Sequence, residues 1–187
     1  MDSIKPNNRI QPNQTGIDLA IQSINTKLLQ LPWLDYTFGI VKTSKEVIGG
    51  NEVTYPEAYI KDGRYTNLMT NRDYKTFSFA QLNDPFSPFD YETGERNYLK
   101  QYNISLIFQV DLSYIDKTKN YVFTNELINN VLDALSNVNG LKFVNGYKEF
   151  ENVWAGYSLN QAESQAMKYP YDSFKLDFEV KITEPCL

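Results

Sequence analysis

The sequence contains no histidine, a single cysteine and no long run of apolar residues. The absence of histidine removes the commonest general base, the usual serine and cysteine triads, and the commonest metal ligand. Because Cys186 stands alone near the last residue, neither an internal disulfide nor a thiolate metal site is expected. No segment approaches the roughly 18 consecutive apolar residues of a membrane span, and the first residues lack the apolar core of a secretory signal. We therefore expect no cofactor, no membrane partner and synthesis in the cytoplasm.

Basic residues are in the minority. The 18 Lys and Arg residues face 23 Asp and Glu residues, which gives a formal net charge of −5. Binding to nucleic acid through its phosphates needs a concentrated basic surface, and the Lys and Arg residues of this sequence form no cluster. Binding of nucleic acid through its phosphates is therefore not expected.

The rest of the composition is that of a globular protein. The 187 residues are 42% hydrophobic and 14% aromatic, which suits one domain with a filled core. Residues 1–14 are dominated by Asn, Gln, Pro and charge, so they are predicted to form a flexible N-terminal arm. The arm is either a tail without function or a segment that orders against a neighbouring subunit. The domain is predicted to span 15–187.

Two segments have the alternating pattern of β-strands. In Tyr102–Ile115 the even positions from 104 to 114 are apolar, and Ile107 is the one apolar residue among the odd positions from 103 to 113. Residues 174–182 repeat the alternation. Successive side chains of a strand point to opposite faces, so each segment is predicted to have one buried and one solvent-exposed face.

Two other segments have the periodicity of amphipathic helices. Apolar residues recur at helical spacing in 17–31 and in 124–138, and Asn139-Gly140 supplies a stop signal after the second. Residues 141–144 are predicted to form a further strand. The fold class expected from these elements is α+β, mainly an antiparallel sheet with two principal helices packed on one face.

A hairpin is predicted between the first helix and the central strand. Residues 35–41 alternate as a strand, Gly49-Gly50-Asn51 marks a turn, and residues 52–60 are predicted to pair with the first strand. Pro56 cannot donate a ladder hydrogen bond, so its strand is predicted to lie at a sheet edge. Because exposed edges pair with other chains, Pro56 and Tyr59 are candidate interface residues.

The segment 61–101 has the weakest pattern and is interpreted as an insertion. Prolines and a glycine interrupt it, and it is rich in aromatic residues. These side chains either fold back on the sheet or anchor a partner protein. They complete the set of candidate interface residues: Phe86, Phe89, Tyr91 and Tyr98.

Carboxylates are the remaining candidates for catalysis. Asp111 lies on the polar face of the central strand, and Asp177 and Glu179 lie on that of the last strand. If the strands were neighbours, the three could converge to form a small carboxylate-dependent hydrolase with a divalent metal. Lys175 and Lys181 alternate with them, however, which is typical of a solvated face or a subunit interface. No catalytic residue is therefore assigned, and the protein is not expected to be an enzyme.

Three segments stand out in the order of these elements: LPWLDYTFGIV at the end of the first helix, ISLIFQVDL leading to FTNELINNVLDAL, and the closing YPYDSFKLDFEVKI. Their order resembles that of the tail terminator and head-to-tail joining proteins of tailed bacteriophages. The abundance of Asn, Tyr, Lys and Ile also resembles coding from an AT-rich genome, as in the crAss-like phages of gut Bacteroidetes.

The resemblance implies a structural virion protein that forms a homo-oligomeric ring in the phage neck or tail. Its partners would be other copies of itself and the adjacent neck, portal-side or tail proteins, and DNA would pass through the lumen without sequence-specific binding. The family has no catalytic residues and no cofactor. Two alternatives remain at this point: the small hydrolase described above and a cytoplasmic protein-binding module.

Overall fold

The structure is a computed structural model that describes residues 7–9, 15–69, 73–90, 97–159 and 168–185. It belongs to the α+β class, as predicted. In chain order the elements are β1 (Asn7–Arg9), α1 (Ile17–Leu28), β2 (Tyr36–Ile40), β3 (Lys42–Ile48), β4 (Asn51–Lys61), β5 (Arg64–Asn67), β6 (Thr76–Asp90), β7 (Asn97–Asp111), α2 (Leu112–Ile115), α3 (Thr124–Leu135), β8 (Leu141–Tyr147), α4 (Phe150–Val153) and β9 (Tyr171–Pro185).

The strands form two sheets. The larger sheet has six strands in the order β1-β2-β6-β7-β9-β8, and the smaller has the order β3-β4-β5. The first three strands of this order, β1, β2 and β6, are parallel to one another. The pairs β6–β7, β7–β9 and β9–β8 are antiparallel. The predicted antiparallel sheet is therefore confirmed for the part that contains the two alternating strands.

The two principal helices cover one face of the larger sheet, as predicted. Ile21, Ile24 and Leu28 recur at helical spacing on α1 and are buried, which places one stripe of the helix on the sheet. Leu127 and Val131 do the same for α3. Both helices end three residues before their predicted ends and continue into turns. We call the layer between these helices and the sheet the first core.

The prediction that one face of β7 contacts solvent is wrong, because a second core covers part of that face. Ile107, the residue that interrupts the alternation, is fully buried on this face. The covering layer consists of the smaller sheet and α4. The buried residues of this second core are Phe38, Val41, Ala58, Leu68, Phe77, Phe79, Ile107, Phe150, Val153, Trp154 and Tyr157.

The central strand ends earlier than its pattern predicts. β7 stops at Asp111, and the next four residues form α2. The Asp111 carboxylate accepts hydrogen bonds from Tyr114 N at 3.1 Å and Ser113 Oγ at 2.7 Å. This cap satisfies one backbone N–H of the short helix, so the apolar residues at positions 112 and 114 belong to a helix.

The predicted hairpin turn is present, but the predicted strand pairing is wrong. The partner of β4 is β3, while the strand at Tyr36–Ile40 joins the larger sheet. β4 is also the central strand of the smaller sheet and not an edge. Pro56 is tolerated there because its carbonyl accepts from Leu68 N at 3.1 Å, just beyond the end of β5. The N–H and C=O of a strand residue point to the same neighbouring strand. The N–H that Pro56 lacks would therefore point towards β5, where the ladder between β4 and β5 ends.

The segment 61–101, interpreted as an insertion, supplies a central strand of the larger sheet. β6 lies between β2 and β7, and Phe77, Phe79 and Ala80 are buried in it. Of the predicted arm at 1–14, the described residues are 7–9, and they pair in parallel with β2.

Candidate subunit interface

β8 forms an outer edge of the larger sheet and exposes two large apolar side chains. Phe143 is 45% exposed and Val144 is 53% exposed. Within the described residues, the strand that pairs with β8 is β9, on one side. A free edge presents unpaired N–H and C=O groups to other chains. This edge is therefore a surface on which a second polypeptide can bind.

A β-bulge shapes the same edge. The register with β9 shifts between Phe143 and Asn145, and Val144 has no direct partner in the ladder. The ring of Phe143 lies 5.7 Å from that of Phe178, centroid to centroid. Bulges and charged residues such as Lys142 discourage long ladders between edges. Contact at this edge is therefore expected to use the apolar side chains more than a continuous ladder.

An open groove of about 380 Å³ lies beside β8 on the face that α1 and α3 cover. Leu19 of α1 contributes to its wall and is 50% exposed. All the lining residues are uncharged: Gly16, Leu19, Ala20, Ser23, Ile24, Val138, Asn139, Leu141, Val180 and Ile182. We call this groove, together with Phe143 and Val144, the β8 surface. It offers apolar area that a partner can cover.

The hairpin between β3 and β4 exposes a second apolar pair. Val47 is 71% exposed and Ile48 is 42% exposed. Gly49 and Gly50 follow with φ angles of 60° and 84°, the left-handed conformation that a tight two-residue hairpin requires at both positions. The turn thus holds two branched side chains at its end. We call residues 47–50 the hairpin tip.

The hairpin tip and the β8 surface lie on different sides of the larger sheet. The smaller sheet, which carries the hairpin, covers the second core, and β4 contacts β1 and β2. The β8 surface is at one edge of the larger sheet and opens on the face of the first core. One copy of the chain therefore presents two unlike apolar surfaces on opposite sides of the larger sheet.

A second depression, of about 390 Å³, lies near the end of β7. Most of the charged side chains that line it interact with another side chain of the same depression. Burial raises the pKa of Asp35, and the charge of Asp35 raises the pKa of Tyr114, whose hydroxyl donates to Asp35 Oδ1 at 3.5 Å. Lys119 Nζ lies 2.5 Å from Glu126 Oε2 and 4.5 Å from the centroid of the Phe123 ring. These charges are thus engaged within the chain.

The predicted interface residues fall into three groups. The Pro56 side chain is buried, which removes it from a surface that a partner can contact. Tyr59 is half-buried, and its ring lies 5.6 Å from that of Tyr65. Of the remaining four, Phe86, Phe89 and Tyr98 are described by their backbone in β6 and β7, and Tyr91 lies outside the described residues.

The three carboxylates of the predicted hydrolase do not converge. β7 and β9 are neighbours, as that hypothesis required, but Asp111 lies opposite Tyr171, six positions along β9 from Asp177. At about 3.3 Å per residue this separates the two carboxylates by roughly 20 Å. Glu179 lies two positions further along β9 than Asp177. One reaction centre cannot include all three.

Each of these carboxylates has a partner in the chain. Asp111 caps α2, as described above. Asp177 Oδ1 accepts a hydrogen bond from Ser105 Oγ at 2.6 Å, and Glu179 Oε2 lies 3.1 Å from Lys142 Nζ. Among the described residues, no group of three or more Asp, Glu, Cys or His side chains is arranged to hold a metal ion.

No protein-family model and no curated protein sequence matches the chain. The helices of the described ranges include none with the length and apolar character needed to cross a membrane. The protein is thus defined by its α+β fold and by the two apolar surfaces.

The residues of both surfaces were not predicted as interface residues from the sequence. Val47 and Ile48 are consecutive apolar residues directly before a Gly-Gly turn, and a turn of this kind places them at the exposed end of a hairpin. Phe143 and Val144 are also consecutive, so they cannot both face the core of a regular strand. Adjacent apolar residues in short strands were therefore the available signal.

Proposed function

We propose that the protein is a structural virion component that assembles into a homo-oligomeric ring in the neck or tail of a phage. The observation that carries the proposal is the pair of unlike apolar surfaces, the hairpin tip and the β8 surface, on opposite sides of the larger sheet. Cyclic assemblies need contacts between unlike patches of neighbouring copies, and such contacts close into a ring when the rotation permits.

The phage setting is supported by the resemblance in element order. In tail terminator and head-to-tail joining proteins a small antiparallel sheet carries helices on one side, and the two principal helices of this chain cover one face of its larger sheet. The partners would be adjacent neck, portal-side or tail proteins, and the protein would be located in the virion after synthesis in the host cytoplasm.

The charge of the chain suits a channel for DNA. With a net charge of −5 per copy, a ring would present a predominantly negative field to the phosphates of passing DNA. Repulsion would allow DNA to pass through the lumen without sequence-specific binding.

Light scattering on the purified protein is the first test. The expected result is a discrete mass that is an integral multiple of 21.7 kDa and ring-shaped particles in negative-stain images. Mass spectrometry of purified virions should detect the protein together with portal and tail proteins. A protein that stays monomeric with its virion partners present, or that captures a host protein in place of virion proteins, would contradict the proposal.

A further inference from the structure

β8 contains Asn145 followed by Gly146, one of two Asn-Gly steps in the sequence. We infer that this step is a site of spontaneous covalent modification, at which Asn145 loses its side-chain amide and becomes a mixture of aspartate and isoaspartate. The inference goes beyond the proposed function and does not depend on it. The site directly follows Phe143 and Val144 of the β8 surface.

The two groups that would react are already in contact. Gly146 N donates a hydrogen bond to Asn145 Oδ1 at 2.9 Å. Since a C=O bond is about 1.2 Å long, Asn145 Cγ lies within roughly 4 Å of this nitrogen. Reacting atoms in a near-attack arrangement are about 3–3.5 Å apart. The hydrogen bond therefore holds the carbon of the side-chain amide beside the nitrogen that can attack it.

The surroundings leave both groups open to water. Asn145 and Gly146 are exposed, and Gly146 has no side chain that could cover its own nitrogen. The register with β9 shifts between Phe143 and Asn145, so the backbone is not held in a regular ladder at this point. Ring closure needs a rotation of the Asn145 backbone, and a bulge resists that rotation less than a regular strand does.

Water and hydroxide are the co-reactants of this step. Hydroxide removes the proton from Gly146 N, and the nitrogen forms a bond to Asn145 Cγ. The bond from Cγ to Nδ2 breaks, Nδ2 takes a proton from water and leaves as ammonia, and a five-membered succinimide ring remains. Water then opens the ring at one of its two carbonyl carbons. Opening at Cγ gives aspartate, and opening at the main-chain carbonyl gives isoaspartate.

The other Asn-Gly step, Asn139-Gly140, provides a comparison within the same chain. Asn139 is also exposed, so access to water does not distinguish the two steps. In the part of the chain that the structure describes, no hydrogen bond joins the Asn139 side chain to Gly140 N. Gly140 O accepts a hydrogen bond from Lys181 N at 2.8 Å, which restrains the backbone of this step. Asn145 should therefore convert faster than Asn139.

The modification would weaken the pairing of β8 with β9. Asn145 lies opposite Asp177, so the new carboxylate would face an existing one, and like charges in a cross-strand pair are destabilising. The isoaspartate form also adds one methylene group to the main chain of the strand. Each converted copy thus carries an additional negative charge and a distorted edge strand beside Phe143.

Peptide mapping of the purified protein after warm incubation tests the inference. The protein is kept at a concentration at which light scattering shows single chains, so that no neighbouring copy covers β8. Trypsin cuts after Lys142 and Lys148 and releases Asn145 in the peptide 143–148. This peptide should gain about 1 Da and separate into an aspartate and an isoaspartate form. Conversion at Asn145 should be at least about tenfold faster than at Asn139 in the same sample, and faster in alkaline than in neutral buffer.

Gly146→Ala is the matched variant, because its methyl group lies beside the attacking nitrogen. Conversion at Asn145 should fall at least about tenfold, while conversion at Asn139 should stay unchanged. Circular dichroism checks that the variant is folded, since the added Cβ would lie 3.2 Å from Leu176 Cδ2.

Three results would overturn the inference. Asn145 could convert no faster than Asn139, or it could convert in the Gly146→Ala variant as fast as in the wild type. Aspartate without isoaspartate would mean direct hydrolysis of the amide and would exclude the ring. The proposed function is tested separately, by light scattering at concentrations that permit assembly, so its failure leaves this result unchanged.

Discussion

The indole N–H of Trp154 donates a hydrogen bond to Ser173 Oγ at 3.1 Å, and both residues are buried. Trp154 follows α4, and Ser173 lies on β9. The ring of Phe79 lies 5.9 Å from that of Trp154, centroid to centroid. This contact fixes the covering layer of the second core to the larger sheet, so the sheet is buried on both faces where the two cores overlap.

Truncation of Trp154 should therefore unfold the protein at a much lower denaturant concentration. Trp154→Ala is expected to cost about 3–5 kcal/mol, the usual range for removing a fully buried large aromatic side chain. Trp154→Phe keeps most of the buried ring but loses the hydrogen bond to Ser173, and should cost less. Urea unfolding measures both, with Tyr121→Ala as the control, since Tyr121 is 54% exposed. Equal midpoints for Trp154→Ala and the control would contradict this account.

Gly140 should tolerate no larger residue. Its φ angle is 76°, and a Cβ at this position would overlap the backbone oxygen of Lys181. The Gly140 carbonyl also accepts a hydrogen bond from Lys181 N at 2.8 Å, so the two backbones cannot easily separate. Gly140→Ala is expected to cost about 3 kcal/mol or more from the clash and the strain together.

Gly156 provides the matched control for this substitution. Its φ angle is 92°, but a Cβ there would meet nothing within 4 Å. Gly156→Ala should therefore cost only the backbone strain, roughly 1 kcal/mol. The difference between the two variants in urea unfolding reports the close approach of Gly140 to β9. A Gly140→Ala variant as stable as Gly156→Ala would show that β8 and β9 can move apart at this point.

The first core was predictable from the sequence, because its residues follow simple periods. The 3.6-residue period of α1 and α3 and the alternation of β7 and β9 each mark one apolar face. The second core was not predicted, because its residues come from short segments far apart in the chain, such as Phe38, Phe79 and Trp154. The one local sign was Ile107, an apolar residue on a face that was assumed to contact solvent.

The candidate site was less predictable than the fold. Pro56 indicates an edge strand only if its missing N–H would break a ladder, and in β4 the ladder ends at that point. Asp111 and Asp177 lie on neighbouring strands, but their separation depends on a register that sequence alone does not supply. The groove is formed by α1, the residues after α3, and two strands, so no single segment carries its signature.

Tyr157 should make stability depend on pH in the alkaline range. Burial raises its pKa to about 12, and its hydroxyl lies 3.3 Å from Gln81 Oε1. In the unfolded chain the pKa of a tyrosine is about 10. The contribution of Tyr157 is fully present below that pH and is lost as pH rises towards 12, because the unfolded state loses its proton first. The loss amounts to roughly 3 kcal/mol at full titration.

Urea unfolding at pH 8, 10 and 11 checks this dependence. Tyr157→Phe should flatten the fall in stability above pH 10, whereas Tyr121→Phe, at an exposed position, should keep the wild-type slope. The comparison between variants is necessary because other tyrosines and lysines titrate in the same range. Identical slopes for the two variants would mean that Tyr157 is accessible to solvent.

Phe143 should govern assembly more than the stability of the single chain. Because it is 45% exposed, Phe143→Lys removes little buried area from the subunit, and its unfolding midpoint should change little. In a ring, the same side chain lies within the proposed β8 surface, and a lysine there would place an unpaired charge in an apolar contact. We therefore expect at least a tenfold rise in the protein concentration needed for assembly, measured by light scattering over a dilution series.

Tyr121→Lys, at an exposed position away from β8, is the control and should assemble like the wild type. If Phe143→Lys assembles like the wild type, the edge strand does not take part in the subunit contact.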